Sequence, residues 1–124
     1  MPNRCCAANN LPLQCTSMQM PPFAIAEQPA DGGVVCLVVR GEIDICTAGD
    51  LERAVTGVVG RPGVCDVVVD LSAVTFLDAA GITALVAAGE SAAGAGVRLW
   101  VEGARGAVHR VLRITGVGDR LSRR

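Results

Sequence analysis

Three short apolar runs, Val34–Arg40, Cys65–Leu71 and Val97–Val101, constrain this chain more than any other feature. Val34–Arg40 is almost unbroken in its apolar character, the mark of a strand covered on both faces, and the other two read as interior strands of the same sheet. Between them the period changes. Leu51, Ala54, Val55 and Val58 recur at helical spacing, as do Ile82, Leu85, Val86, Gly89 and Ala93, and later Val108, Val111 and Leu112. Strands alternating with helices imply parallel strands joined by right-handed crossovers. Ahead of them, Phe23–Glu27 suits a short edge strand, and Asp31-Gly32-Gly33 suits the turn of a hairpin, which adds one antiparallel strand. The expected order is β, β, α, β, α, β, α. This is an α/β domain with a mixed, mostly parallel sheet of four to five strands packed with three to four helices.

At 124 residues there is room for one such domain and no second. Aromatic residues are 2% of the chain, so the core must be built from Val, Leu, Ile and Ala. Residues 1–21 mix Asn, Gln, Pro, Cys and Met without period and lead into Pro21-Pro22. They are expected to be a flexible leader, with the domain occupying residues 22–124. No apolar run approaches the ~18 to 20 residues needed to span a bilayer, and the start lacks the pattern of a secretory signal, so a cytoplasmic protein without membrane contact is expected.

The side-chain chemistry excludes several function classes. Arg105, Arg110, Arg113, Arg120, Arg123 and Arg124 face Asp119 alone in the last stretch, but no aromatic platform accompanies them, so direct nucleic-acid binding is not expected. The six cysteines include no Cys-x-x-Cys pair and the single histidine is His109, which argues against a metal site. Cys36 and Cys65 are expected as small buried hydrophobes, Cys5, Cys6 and Cys15 fall in the leader, and Cys46 is an accessible thiol in a loop. No nucleophile elbow, phosphate loop or dinucleotide fingerprint is present, so neither catalytic residues nor a cofactor is assigned.

Two acidic positions carry a local rationale for binding. Asp78 precedes the helix that begins Ala79-Ala80-Gly81-Ile82, where an N-cap carboxylate can accept from the free amides of Ala80 and Gly81. Such a helix start tolerates negative charge. Asp44 ends Gly41-Glu42-Ile43-Asp44, a turn ahead of a helix in which Thr47 and Asp50 have the spacing of a capping pair. Gly81 in a first helical turn loses ~1 kcal/mol against alanine, which implies close approach either to a neighbouring strand or to a partner's backbone.

Three segments together carry a family resemblance: Arg40-Gly41-Glu42-Ile43-Asp44 with Thr47-Ala48; Asp70-Leu71-Ser72-Ala73-Val74-Thr75-Phe76-Leu77-Asp78-Ala79-Ala80-Gly81-Ile82; and Val108 to Val117 with its terminating Gly116. In this order they resemble the STAS domain of bacterial anti-sigma factor antagonists. The resemblance implies a non-catalytic binding protein that docks on an anti-sigma factor, a serine kinase-like ATPase, and frees a sigma factor. It places partner contact at Asp44, Asp78, Ala79, Ala80, Gly81 and Ile82. In that family the serine just before the glycine is phosphorylated by the anti-sigma factor, and a phosphate there adds roughly −1.5 to −2 charges to the docking surface. Here the position is Ala80, so the usual switch is absent and a locked, binding-competent form is expected, as a monomer or weak dimer. Ser72 and Thr75 lie before Asp78, and Thr83 is expected to bond back to the preceding turn. Two alternatives remain open: a divergent STAS module in a stressosome-like complex, and an antagonist regulated by redox chemistry at Cys46.

Overall fold

The computed structural model describes residues 23–121; the expected leader with Cys5, Cys6 and Cys15, and also Arg123 and Arg124, lie outside the described residues. The elements run β1 (Ala24–Ala30), a one-turn 3-10 helix (Asp31–Gly33), β2 (Val34–Ile43), α1 (Ala48–Val59), β3 (Asp66–Leu77), α2 (Ala79–Gly94), β4 (Arg98–Glu102), α3 (Gly106–Thr115) and α4 (Val117–Arg120). The four strands form one sheet in the order β1-β2-β3-β4. β1 pairs antiparallel with β2, and β2, β3 and β4 are parallel. The hairpin and the alternating βα units are therefore as the residue pattern implies.

One correction concerns how the sheet is covered. β2 alternates, with Val35, Leu37, Val39 and Ile43 buried and Val34, Cys36 and Val38 half-buried. All four helices contribute buried residues to a single cluster on the first of these faces, together with Val67, Val69 and Leu71 of β3. The sheet is thus backed by helices on one side. An apolar run does not distinguish a strand buried on both faces from one half-buried on the second, because valine is acceptable at both positions.

The other differences are local. β3 continues past Leu71, where the expected strand ended, to Leu77, because Ala73, Val74, Phe76 and Leu77 pair with the end of β2. Cys65 is exposed rather than buried: it precedes β3, and its amide donates to the Gly33 carbonyl at 2.8 Å. Cys36 is half-buried. The buried stripe of α2 is Gly81, Ala84, Leu85, Ala88 and Ala92, one position off the expected one, and Ala93 is exposed. Almost every residue of that helix is small or apolar, so its sequence marks no single face. Gly116 ends α3 as expected, and a further short helix, α4, follows it. Its Leu121 end meets the sheet, since the Val101 amide donates to the Leu121 carbonyl at 2.9 Å.

Candidate partner-docking site

The two acidic positions, 34 residues apart in sequence, come together where β2 and β3 end. The last residues of these strands, Ile43 and Leu77, are paired, and the Asp78 amide donates to the Ile43 carbonyl at 3.4 Å. Two register shifts precede this point, between Val38 and Arg40 and between Gly41 and Glu42. Gly41 is buried with a φ of 98°, a left-handed backbone that glycine adopts without strain, and such bulges re-aim the chain that follows.

The Asp44 turn is closed by its own polar groups. The Asp44 carboxylate Oδ1 accepts from the amides of Cys46 at 2.9 Å and Thr47 at 3.3 Å. Thr47 Oγ1 accepts from the Asp44 amide at 3.0 Å and donates to the Glu42 carbonyl at 2.8 Å. The Thr47–Asp50 capping pair does not form: Thr47 is the N-cap of α1, but its hydroxyl makes no cap bond, being committed to the turn. Asp50 instead pairs with Arg53. Hydroxyl and carboxylate together fix the loop, and the side chain between them, Ile45, is left 83% exposed.

At the second element, Asp78 is the N-cap of α2 with extended backbone, and its Oδ1 accepts from the Gly81 amide at 3.1 Å. The expected second bond, from Ala80, is not made by the side chain. Ala79 is exposed, while Ala80 and Ile82 are half-buried against the core. Gly81 is buried, and the direction a Cβ would take from it is filled by Leu77 Cδ1, by the Ile43 carbonyl oxygen at 2.8 Å and by Ile43 Cγ2 at 3.0 Å. Of the two explanations for this glycine, the neighbouring strand is the one that applies. The outward surface of the helix start is therefore made by Asp78, Ala79 and Ala80. Thr83 Oγ1 donates back to the Ala79 carbonyl at 3.0 Å, as expected, and Ser72 and Thr75 are exposed on β3.

Two residues that sequence reasoning missed lie at this end. Ile45 and Phe76, the latter 46% exposed, are large apolar side chains turned to water beside the two acidic elements. The signal for Ile45 was a bulky apolar residue inside a turn, with no periodic partner on either side. Phe76 was hidden by its neighbours, because a strand continuing through it was not expected. Cys46 is exposed in the same turn.

This geometry has known relatives. A family model described as the STAS domain matches residues 26–123. The chain belongs to the STAS-domain family. This STAS domain is 42% identical over 90 residues to a protein named anti-sigma-F factor antagonist RsfB from Mycobacterium tuberculosis, a match covering 72% of this chain and 71% of the relative. Among solved structures it resembles an anti-sigma factor antagonist from Mycobacterium paratuberculosis, with a TM-score of 0.70 and 34% identity, over 81% of this chain and 83% of the other. It also shares its fold with the anti-sigma factor antagonist SpoIIAA in its unphosphorylated form, at a TM-score of 0.67 and 14% identity, over 77% of this chain and 84% of that one.

Proposed function

We propose that this protein is an anti-sigma factor antagonist that docks through the Asp44–Thr47 turn and the Asp78–Ala80 helix start, displacing a sigma factor and so regulating transcription. The observation that carries this reading is the joining of the two elements at one end of the sheet, where a hydrogen-bonded turn holds Ile45 out to solvent and Phe76 is exposed one residue before the paired end of β3. Rigid presentation of a large apolar side chain among polar neighbours is the arrangement of an interface anchor. The named relatives support the same role, and they also support a regulatory protein rather than an enzyme. Among the described residues no helix is long and apolar enough to cross a membrane.

The partner we infer is an anti-sigma factor with a serine kinase-like ATPase domain. Because position 80 is alanine, that partner has no hydroxyl to phosphorylate at the helix start, and the domain stays in its binding form. The decisive experiment mixes the purified protein with such anti-sigma factors, each pre-bound to its sigma factor, with ATP present. Expected results are release of the sigma factor and no phosphate on the antagonist. Phosphate on Ser72, Thr75 or another residue with loss of binding would overturn the locked state. Capture of a stressosome-like assembly without any anti-sigma factor would overturn the proposed role itself.

A further inference from the structure

β4 is the outermost strand of the sheet beyond β3. The Arg98 amide donates inward to the Cys65 carbonyl at 3.0 Å, and alternation along a parallel strand therefore turns the N–H and C=O groups of Leu99 and Val101 outward. An outward row of this kind is a template for another strand. Of these two amides, that of Val101 is taken by the Leu121 carbonyl at 2.9 Å. Leu121 is anchored by its side chain, which is buried and fills the space that a side chain on Gly89 would need. It lies at the end of α4, a single turn of helix that leaves Gly116 at a left-handed φ of 77°. A groove of about 780 Å³ runs beside this edge, lined by Val86, Gly89 and Ala93 of α2, by Leu99 of β4 and by Leu121.

β4 reads Arg98-Leu99-Trp100-Val101-Glu102, an order complementary to itself. Laid antiparallel on its own copy about a two-fold axis at Trp100, Arg98 faces Glu102 twice, Leu99 faces Val101 twice, and the two Trp100 face each other. Parity agrees, because the outward groups of Leu99 and Val101 are the ones that a hydrogen-bonded antiparallel pair exchanges. Arg98 has the capacity for a second carboxylate. Its Nε and Nη2 hold Asp66 at 2.7 and 3.0 Å, but its side chain is 76% exposed and Nη1 is left over. We propose that α4 guards this edge against a second copy of the chain: with Leu121 seated, β4 is closed, and with α4 swung away, β4 pairs antiparallel with β4 of another molecule in one continuous sheet. The two states exclude each other, because the Val101 amide bonds either to Leu121 of its own chain or to Leu99 of the second copy. β4 and α4 take no part in the Asp44 turn or the Asp78 helix start, so this self-association is independent of the proposed docking surface.

Analytical ultracentrifugation of the full chain tests the guard. The unmodified protein is expected to sediment as a monomer, and Leu121→Asp, which expels the apolar anchor of α4, to self-associate at least about tenfold more tightly, as a dimer and nothing larger, since a two-fold contact closes on itself. Trp100 is the only tryptophan, so the dimer sets two indoles across neighbouring strands. An exciton couplet in circular dichroism should accompany the dimer and vanish on dilution. In the Leu121→Asp background, Glu102→Gln is expected to weaken the dimer a few-fold, and Glu102→Lys, which sets like charges opposite each other, by about tenfold or more. A folded Leu121→Asp variant that stays monomeric, a dimer without the couplet or indifferent to Glu102, larger assemblies, or an unmodified protein that dimerises as tightly overturns the proposal. Should Leu121→Asp not fold, Leu121→Ala, which shortens the anchor and keeps it apolar, takes its place, and the same outcomes decide.

Discussion

At the scale of single residues, what holds the fold and what faces outward can be separated by substitution. Ile45 is 83% exposed and touches little of its own domain, so Ile45→Asp should leave stability within about 0.5 kcal/mol of the parent while costing binding ~2 kcal/mol or more. Calorimetric titration against the anti-sigma factor, beside a urea melt, reads both quantities. Gly81 is the opposite case. In an open helix Gly81→Ala would gain ~1 kcal/mol from propensity, but here the new methyl group meets Leu77 and the Ile43 carbonyl, and overpacking of this kind typically costs 1–3 kcal/mol. Net destabilisation in the urea midpoint is expected, and stabilisation would contradict the close approach. Ala80→Ser adds one hydroxyl at a half-buried position of the first turn and should change stability by only a few tenths of a kcal/mol. If the anti-sigma kinase engages this surface, that variant should take up phosphate from labelled ATP where the parent does not.

At the scale of elements, the Asp44 turn is the most closely bonded piece of the site. Thr47→Val keeps the shape of the side chain but removes the hydroxyl that joins the Asp44 amide to the Glu42 carbonyl, leaving two polar backbone groups unpaired at a cost of ~1–3 kcal/mol. Thermal unfolding should show the loss, and Thr47→Ser should recover most of it. This element also shows where sequence reading stops. The turn itself was legible, because Gly41-Glu42-Ile43-Asp44 has the residues a strand end and turn require. The partner of the Thr47 hydroxyl was not, since a capping bond and a bond back across the turn suit the same residue types. Strand and helix order could be read from valine runs and helical spacing, and Asp78 as a cap from its place before Ala79. The extension of β3 to Leu77 could not, because pairing with the end of β2 decides it. Nor could the buried face of α2, where alanine and glycine leave nothing to tell one side from another.

At the scale of the whole molecule, the sheet separates two chemistries. One side is sealed by four helices; the other holds Cys36, whose thiol is pushed above its ordinary pKa by burial and then by the nearby Asp70 and Glu102 carboxylates. The thiolate is the reactive form, so alkylation of Cys36 in the folded protein should lag behind the same residue in the urea-unfolded chain near neutral pH. The gap should close as pH rises through the elevated value, and peptide mass mapping over a pH series measures it. A Cys36 that reacts equally in both states would mean that neither its burial nor its acidic neighbours matter.

The hydrogen bond from Asp78 to Ile43 has a consequence for dosage. Because each half of the proposed docking surface is aimed by the strand end of the other, neither half is expected to act as a weaker version of the whole. In that reading, a chain interrupted before Asp78, or one in which β2 and β3 have come apart, should offer no partial competitor. In the proposed role, the amount of antagonist a cell experiences is set by how much of the protein is folded, not by how much has been translated. A titration of sigma-factor release against temperature should therefore trace the unfolding curve of the domain.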